Sequence, residues 1–177
     1  MIEAVAKFEK VSWEQFLKDC TSYRWWGKSE RELKELYEKI KLPERATTGS
    51  AGYDFFMPYD LIVEENNAYK IPTGIKCKMK LGWVLCEFPR SGLGFKYGLS
   101  MANTVGIIDS DYYNSDNEGH IFIKLVNEGI LSNKIEFKAG DSFCQGIFLP
   151  FGITNNDNAN GIRNGGFGST DKRTKIK

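Results

Sequence analysis

Short apolar runs separated by glycines fill the sequence from Ala46 onward, and they restrict the fold more than any other feature. Most of the 18 glycines lie in this part of the chain. Apolar or alternating runs bounded by turn residues predict β-strands. The candidate strands are Ala68–Met79, Trp83–Phe88, Thr104–Ile108, His120–Asn127 and Ser142–Leu149. Several are apolar on both faces, which predicts stacked sheets or a subunit interface. Antiparallel strands with short turns are typical of a barrel or jelly roll.

The stretch from Ser12 to Ile40 has a different, helical pattern. Ser12 and Ser29 are each followed three residues later by Gln or Glu, the capping-box pattern of helix starts. After Ser29, apolar residues recur at helical spacing, and Pro43 is expected to end the helix. We therefore predict a helical insertion at about 12–42.

The domain organisation follows from these two patterns. A first strand, Val5–Val11, is expected to precede the helical insertion. Residues 1–170 are expected to form a single β domain, since 177 residues suit one domain. The basic tail, 171–177, is expected to be disordered.

Composition excludes several classes of protein. The net charge is +1, with 24 basic and 23 acidic residues, so no nucleic-acid partner is expected. No run approaches the ~18 apolar residues of a membrane span, and the charged N-terminus does not suit a signal peptide. The four cysteines form no C-x-x-C pair and the chain has one histidine, which argues against structural zinc. Reduced core thiols in a cytoplasmic protein are expected.

Two segments suggest phosphate or metal binding. In Gly49–Asp54, the glycines permit close backbone approach and Asp54 begins an apolar strand, although a lone carboxylate could simply cap a turn. Pro89–Lys96 follows a strand, and its glycines could form a backbone nest for an anion. Arg90 could bind phosphate through two parallel hydrogen bonds. An ordinary β-turn with a surface arginine is equally compatible with this segment.

Two further segments suggest a catalytic carboxylate and a lid. Asn103–Tyr113 runs from apolar residues to Asp109 and Asp111, then to a polar stretch, in the form of a hairpin. Clustered carboxylates are costly unless they are solvated, bind metal or act as a base. Arg163–Thr170 combines three glycines with an arginine and a phenylalanine. It suits a mobile lid over a base and a phosphate, or a disordered tail.

Taken together and in this order, the segments resemble the motifs of the trimeric dUTPase family, over roughly Ala46–Thr170. The matching motifs are Ala51–Asp54, Pro89–Leu93, Gly106–Tyr112, Gly140–Gln145 and Gly165–Thr170. The resemblance implies an all-β subunit, a distorted jelly-roll β-barrel with a flexible C-terminal arm. It also implies a homotrimer with active sites between subunits, and hydrolysis of dUTP to dUMP and pyrophosphate with Mg²⁺.

The resemblance also implies roles for individual residues. Asp109 would be the general base that activates the attacking water, and Tyr112 would lie under the deoxyribose and exclude a 2′-hydroxyl. The uracil edge would be read by Asn103, Gly106, Ile107 and Ile108. The phosphates would be held by Arg90, Ser91, Gly92 and Gln145. Asp54 would hold a water on Mg²⁺. The arm would supply Arg163 for the γ-phosphate, Phe167 to stack over the uracil, and the neighbouring Gly168 and Ser169.

The sequence departs from the family pattern in three places, and other functions stay open. Polar residues 113–118 lengthen the segment after Tyr112, and the arm is one residue shorter between Arg163 and Phe167. The helical insertion has no implied catalytic role; it could pack on the barrel or bind a protein partner. A related dCTP deaminase, a regulatory protein-binding module on a dUTPase-like scaffold and an inactive jelly-roll domain are the alternatives.

Overall fold

The computed structural model describes residues 3–22 and 27–166, which form eleven strands and three α-helices. The inserted part contains α1 and α2, and the remaining elements are strands apart from α3 and one 3₁₀ helix. In chain order the elements are β1 Ala6–Lys10, α1 Trp13–Ser22, α2 Glu30–Lys39, β2 Tyr53–Phe56, β3 Leu61–Glu64, β4 Asn67–Pro72, β5 Ile75–Met79, β6 Trp83–Pro89, α3 Ser91–Tyr97, β7 Leu99–Met101, β8 Gly106–Ile108, the 3₁₀ helix Ser110–Asn114, β9 Phe122–Asn127, β10 Lys134–Phe137 and β11 Ser142–Pro150.

Every strand pair within these ranges is antiparallel, which confirms the predicted all-β class. The largest sheet has the order β2-β11-β6-β8, and a second has the order β4-β9-β7. Two smaller sheets pair β1 with β5 and β10 with β3. The order is far from sequential because the chain crosses repeatedly between sheets, as in a jelly roll.

One apolar core lies between these sheets and also receives the inserted helices. Phe55, Ile71, Leu85 and Phe143 contribute strand side chains to it. From the inserted helices, α1 contributes Phe16 and Cys20, and α2 contributes Leu33. The four cysteines are all buried and free, as expected for core thiols. The helical insertion is therefore part of the domain core.

The predicted helix starts are confirmed, one of them in full. Ser29 and Glu32 form a complete capping box at α2. At α1 the Ser12 hydroxyl accepts a hydrogen bond from the Gln15 backbone at 3.1 Å. The return bond is different, because the Ser12 backbone donates to Glu118 and not to Gln15. The helix α2 ends at Lys39, before Pro43.

The predicted strand Ala68–Met79 is wrong in one respect, because it is two strands, β4 and β5. Pro72 lacks a backbone donor, which interrupts a strand ladder. The Thr73 hydroxyl donates to the Ile121 carbonyl at 2.8 Å. Gly74 then adopts φ +73°, a left-handed conformation that favours glycine. Two other predicted strands are shorter at their starts. The strand predicted from Thr104 begins at Gly106, and the one predicted from His120 begins at Phe122.

The hairpin predicted around Asp109 is also wrong. The strand β8 pairs with β6, whereas β9 pairs with β4 and β7, so β8 and β9 lie in different sheets. Between them, Ser110–Asn114 forms a 3₁₀ helix with Asp109 as its N-cap residue. Local bonds stabilise this turn, since Ser115 Oγ donates to the Tyr112 carbonyl at 2.7 Å. Within the described ranges, no helix has the length and apolar character needed to cross a membrane.

Candidate active site

The first cavity of interest lies beside β8 and holds most of the residues predicted to bind the base and sugar. We call it the β8 pocket; its volume is about 280 Å³. Six predicted site residues line it: Asn103, Gly106, Ile107, Ile108, Tyr112 and Arg163. Glu87, Val105, Phe122 and Gly166 complete its lining. The tertiary structure therefore places these predicted residues around one cavity.

Asp109 stands at the end of β8 with its side chain 45% exposed. Arg163 forms an ion pair with it through Nη2. The same guanidinium reaches Asp111, with Arg163 Nε 2.8 Å from Asp111 Oδ1. One cation thus bridges the two clustered carboxylates and offsets the cost of placing them close together.

Tyr112 is held under this cavity by hydrogen bonds at its hydroxyl. The hydroxyl donates to the His120 carbonyl at 2.7 Å and accepts from Asn117 Nδ2 at 2.7 Å. Burial raises the pKa of Tyr112 to about 12, so the phenol stays neutral. A Cβ on Gly166 would lie 2.6 Å from Tyr112 Cε2, so the backbone at Gly166 passes directly against the ring.

The second cavity lies beside α3 and holds the residues predicted for phosphate and metal. We call it the α3 pocket; its volume is about 750 Å³. Its lining includes Asp54, Arg90, Ser91, Gly92 and Gln145. Arg90 Nε lies 3.1 Å from Asp54 Oδ1. This cavity joins three motifs that are far apart in sequence.

Short contacts explain how the motif residues of the α3 pocket are oriented. Gln145 Nε2 donates to the Pro89 carbonyl at 3.1 Å. A Cβ at Gly52 would lie only 2.6 Å from Gln145 Oε1, so the glutamine amide could keep this position only beside a glycine. Arg90 Nη1 donates to Ser142 Oγ at 2.6 Å. The Arg90 head group is therefore fixed from two sides.

The backbone nest predicted in Pro89–Lys96 is not formed. Residues Ser91–Tyr97 are helical instead. The N–H groups of Leu93 and Gly94 both donate to the Arg90 carbonyl at 3.1 Å. Because these two N–H groups already donate within the helix, they are not available to an anion. An anion in this pocket would be met mainly by the Arg90 side chain, and by Gly92 only through its backbone N–H, since Gly92 has no side chain.

The motifs and the two cavities they build point to one family, and comparison with known proteins decides it. A family model described as dUTPase matches residues 38–171. The chain belongs to the dUTPase family. It is 40% identical to the deoxyuridine 5′-triphosphate nucleotidohydrolase of Lactococcus lactis over 134 residues, 74% of this chain and 88% of that protein. It is 41% identical to that of Desulfitobacterium hafniense over 138 residues, 73% of this chain and 87% of that protein.

Solved dUTPase structures agree with the fold. The crystal structure of dUTPase from Streptococcus mutans has a TM-score of 0.59 and 38% identity, covering 67% of this chain and 91% of that one. A dUTPase from phage phi11 of S. aureus, described with a coordinated structural Mg(II) ion, has a TM-score of 0.58. At 20% identity, over 69% of this chain and 91% of that one, it supports the fold alone.

The part of this dUTPase-family chain before the matched range contains α1 and most of α2. Two contacts join α1 to the polar insertion after Tyr112. Ser12 donates to Glu118 from its backbone at 2.9 Å and from its hydroxyl at 2.5 Å. His120 Nδ1 lies 2.6 Å from Asp19 Oδ2. The two unusual segments of the sequence therefore contact each other.

The His120 contacts also fix its tautomer. The Gly74 backbone N–H donates to His120 Nε2 at 2.8 Å, so Nε2 is an acceptor. The proton then lies on Nδ1 and is donated to Asp19. Burial lowers the pKa of His120, although the Asp19 carboxylate opposes that shift. His120 is accordingly a neutral, hydrogen-bonded core residue that connects α1 to the Tyr112 segment.

Three residues of this region were not predicted from sequence: Asp19, Glu87 and His120. Glu87 had a sequence signal, because it is the one charged residue in the apolar strand Trp83–Pro89. Asp19 and His120 had none, since their contact joins positions 101 residues apart. The predicted arm residues Phe167, Gly168 and Ser169 lie outside the described residues, as does the tail 171–177.

The two pockets share no lining residue. The residues expected at the base and sugar line one cavity, together with Arg163, and the other residues expected at the phosphates and metal line the second. Within the described part of a single chain, the predicted site is therefore in two halves. The same part contains no group of three or more His, Cys, Asp or Glu side chains placed to hold a metal.

Proposed function

We propose that this protein hydrolyses dUTP to dUMP and pyrophosphate. Membership of the dUTPase family supports this reaction. The observation that carries it furthest is the pair of pockets. One gathers every described residue expected at the base and sugar, together with Arg163, and the other gathers Arg90, Ser91, Gly92 and Gln145, expected at the phosphates.

In the proposed reaction Asp109 accepts a proton from a water that attacks the α-phosphorus. The water oxygen forms a bond to that phosphorus, the bond to the bridging oxygen breaks, and pyrophosphate leaves. Asp109 lines neither pocket, but it follows Ile108 of the β8 pocket and is paired with Arg163 of the same lining, and its half-exposed carboxylate is accessible to water, which suits this role. Tyr112 supports the sugar, and Asn103 with the β8 backbone reads the base.

The phosphate half is assigned to Arg90, Ser91, Gly92 and Gln145. The negative charge of the phosphates in the transition state must be met by fixed donors. A guanidinium suits this because it binds phosphate through two hydrogen bonds. In this structure the Arg163 guanidinium forms ion pairs with Asp109 and Asp111. We expect the substrate phosphates to compete for this guanidinium, which frees Asp109 to accept a proton.

Mg²⁺ is the proposed cofactor. The donor set fits only a weakly attached ion, because Asp54 is the one carboxylate lining the α3 pocket and is already paired with Arg90. Most ligands of the ion would therefore be triphosphate oxygens, with Asp54 acting through a water. The ion would neutralise charge on the leaving pyrophosphate.

The reaction is tested by measuring pyrophosphate release from each deoxynucleoside triphosphate with Mg²⁺. We expect dUTP to be preferred, and Asp109→Asn to lower kcat by about 10²-fold or more. Asp116→Asn is the matched control, since Asp116 is an exposed carboxylate of the same segment. Faster ammonia release from dCTP would favour the deaminase alternative, and an unchanged Asp109→Asn enzyme would remove the proposed base.

We further propose a homotrimer in which the β8 pocket of one subunit faces the α3 pocket of another. Mixed assemblies test this. Co-refolding the inactive variants Asp109→Asn and Arg90→Ala should restore activity, because some sites then combine an intact half from each chain. Co-refolding Asp109→Asn with Tyr112→Ala should not, because both defects lie in the same half. Activity that is never restored in the first mixture would contradict shared sites.

As a second proposal, the inserted helices bind a protein partner. A groove between α1 and α2 is lined by Trp13, Leu17 and Leu33 with charged neighbours. Exchanging Lys18 and Glu14 for alanine would test it without disturbing buried residues. Binding of a candidate partner that is unaffected by these exchanges would contradict the proposal.

A further inference from the structure

Glu87 is a buried carboxyl group that the proposed reaction does not use. It lies on β6 and is 1% exposed. Its Oε1 atom has no hydrogen-bond partner among the described residues. A buried polar group without a partner costs free energy that an apolar residue of similar size would not. Its presence in an apolar strand therefore calls for a functional reason.

The position of Glu87 supplies one. It lines the β8 pocket, on the strand next to β8. Its register partner on β8 is Gly106. A Cβ at Gly106 would lie 2.7 Å from Glu87 Oε2, so the missing side chain at Gly106 leaves room for the carboxyl group. The carboxyl group thus lies against the backbone that is expected to read the base.

The groups around Glu87 favour its neutral form. Burial raises the pKa of Glu87 to about 8. Glu87 interacts electrostatically with Cys86 on the same strand, Cys77 on β5, Cys144 on β11 and Tyr112. Burial raises the pKa of each of these as well, so none supplies a compensating charge.

The charged residues of the pocket do not change this result. Arg163 also lines the β8 pocket, but its guanidinium is paired with Asp109 and Asp111. A neutral carboxyl group has one O–H donor and one carbonyl acceptor, whereas a carboxylate can only accept. Near neutral pH, Glu87 can therefore donate a hydrogen bond into a cavity of pyrimidine size.

We propose that Glu87 is a further substrate-binding residue, whose carboxyl group donates a hydrogen bond to a carbonyl oxygen of the pyrimidine ring in the β8 pocket. The inference rests on the proposed function, because it takes the pocket occupant to be the base of dUTP. It adds a side-chain donor on β6 beside the backbone and apolar side chains of β8.

Calorimetric titration of the full-length protein with dUMP tests the assignment. We expect Glu87→Met to weaken dUMP binding by about tenfold, the loss of a hydrogen bond in a dry pocket. Glu87→Gln keeps an N–H donor of similar reach and should bind within about threefold of the unchanged protein. Cys86→Ala is the control for disturbance of β6, because adjacent strand residues point to opposite faces. It should bind like the unchanged protein.

The pH dependence provides a second measurement that packing alone would not change. Between about pH 7 and about pH 9 the Glu87 carboxyl loses its proton and its donor. Binding of dUMP to the unchanged protein should weaken over this range relative to Glu87→Gln. Ionisation of uracil itself is common to both proteins and cancels in the ratio.

Two results would overturn the assignment. One is a folded Glu87→Met protein that binds dUMP as tightly as the unchanged protein. The other is a pH profile of dUMP binding that is the same for the unchanged protein and Glu87→Gln. Turnover of dUTP by the unchanged protein is measured alongside, so failure of the proposed reaction is recognised separately from failure of the Glu87 assignment.

Discussion

The Oδ2 atom of Asp19, on the first inserted helix, lies 2.6 Å from the ring Nδ1 of His120. The backbone carbonyl of the same histidine accepts the hydroxyl proton of Tyr112 at 2.7 Å. The insertion is thereby connected, through two hydrogen bonds, to the residue expected to support the deoxyribose. We therefore predict that α1 helps to position Tyr112 inside the subunit.

Asp19→Ala should loosen discrimination against the 2′-hydroxyl. Loss of the bond to a buried His120 costs about 1–3 kcal/mol of stability. Freed from its partner, the His120 segment would hold Tyr112 less firmly, and the ratio of kcat/KM for UTP to that for dUTP should rise by at least about threefold. Kinetics with both nucleotides measures this ratio.

Two controls separate positioning by Asp19 from general destabilisation. Asp19→Asn keeps a carbonyl acceptor for His120 and should restore most of the discrimination. Val63→Ala creates a cavity in the remote strand β3, where Val63 is fully buried. It should lower stability without changing the nucleotide ratio. An equal change of the ratio in Val63→Ala and Asp19→Ala would argue against a positioning role.

Glu87 should make the folded protein less stable as pH rises from about 4.5 to about 8. In this window the unfolded chain has lost the proton while the folded chain keeps it, so raising the pH favours unfolding. The free energy of unfolding should fall by up to about 1.4 kcal/mol per pH unit from this group and level off above pH 8. Urea denaturation at several pH values measures the slope.

Glu87→Gln isolates this contribution, because its side chain does not titrate. The difference in unfolding free energy between the two proteins should therefore change with pH by the amount that Glu87 contributes. His120, whose pKa is lowered by burial, destabilises the fold as pH falls below its unfolded value. That effect is common to both proteins and cancels. A difference that is flat between pH 4.5 and pH 8 would show that Glu87 is ionised in the folded state.

Arg163→Ala should lower kcat/KM for dUTP by about 10²-fold. The variant removes a cation that this structure pairs with Asp109 and that the proposed reaction transfers to phosphate. Arg163→Lys should recover only part of the loss, because an ammonium group lacks the fork of the guanidinium. Arg31→Ala is the control, since Arg31 forms only an exposed ion pair with Glu35. Full activity of Arg163→Ala would exclude a catalytic contribution from this arm residue.

Gly52→Ala should raise the KM for dUTP by about tenfold. The added methyl group would lie 2.6 Å from Gln145 Oε1, so the glutamine amide must shift from its position in the α3 pocket. Gly49→Ala is a matched control three residues earlier, where a Cβ would have no heavy atom within 4 Å. Similar kinetics for the two variants would show that the position of Gln145 is not needed for phosphate binding.

Local pattern was enough to predict the elements that depend on neighbouring residues. The capping box at Ser29 and the alternation of the strands act over a few residues, so α2 begins as predicted and β1, β6, β8, β9 and β11 lie within two residues of their predicted bounds. No strand was predicted at β3, β7 or β10. The order of the motifs was likewise enough to indicate the family. Errors occurred where distant residues decide the backbone. Gly74 and Pro72 divide a strand because Thr73 bonds to Ile121, and β8 leaves its expected hairpin partner to pair with β6.

Only the tertiary structure decided how the site residues are grouped. Hydrogen bonds such as that from His120 to Asp19, and burial such as that of Glu87, depend on positions far apart in the chain, and no local pattern records them. The division of the motif residues between two pockets has the same origin, because it depends on which strands become neighbours in the sheets. Sequence alone determined which chemical groups are available; chain crossing between sheets determined which of them meet.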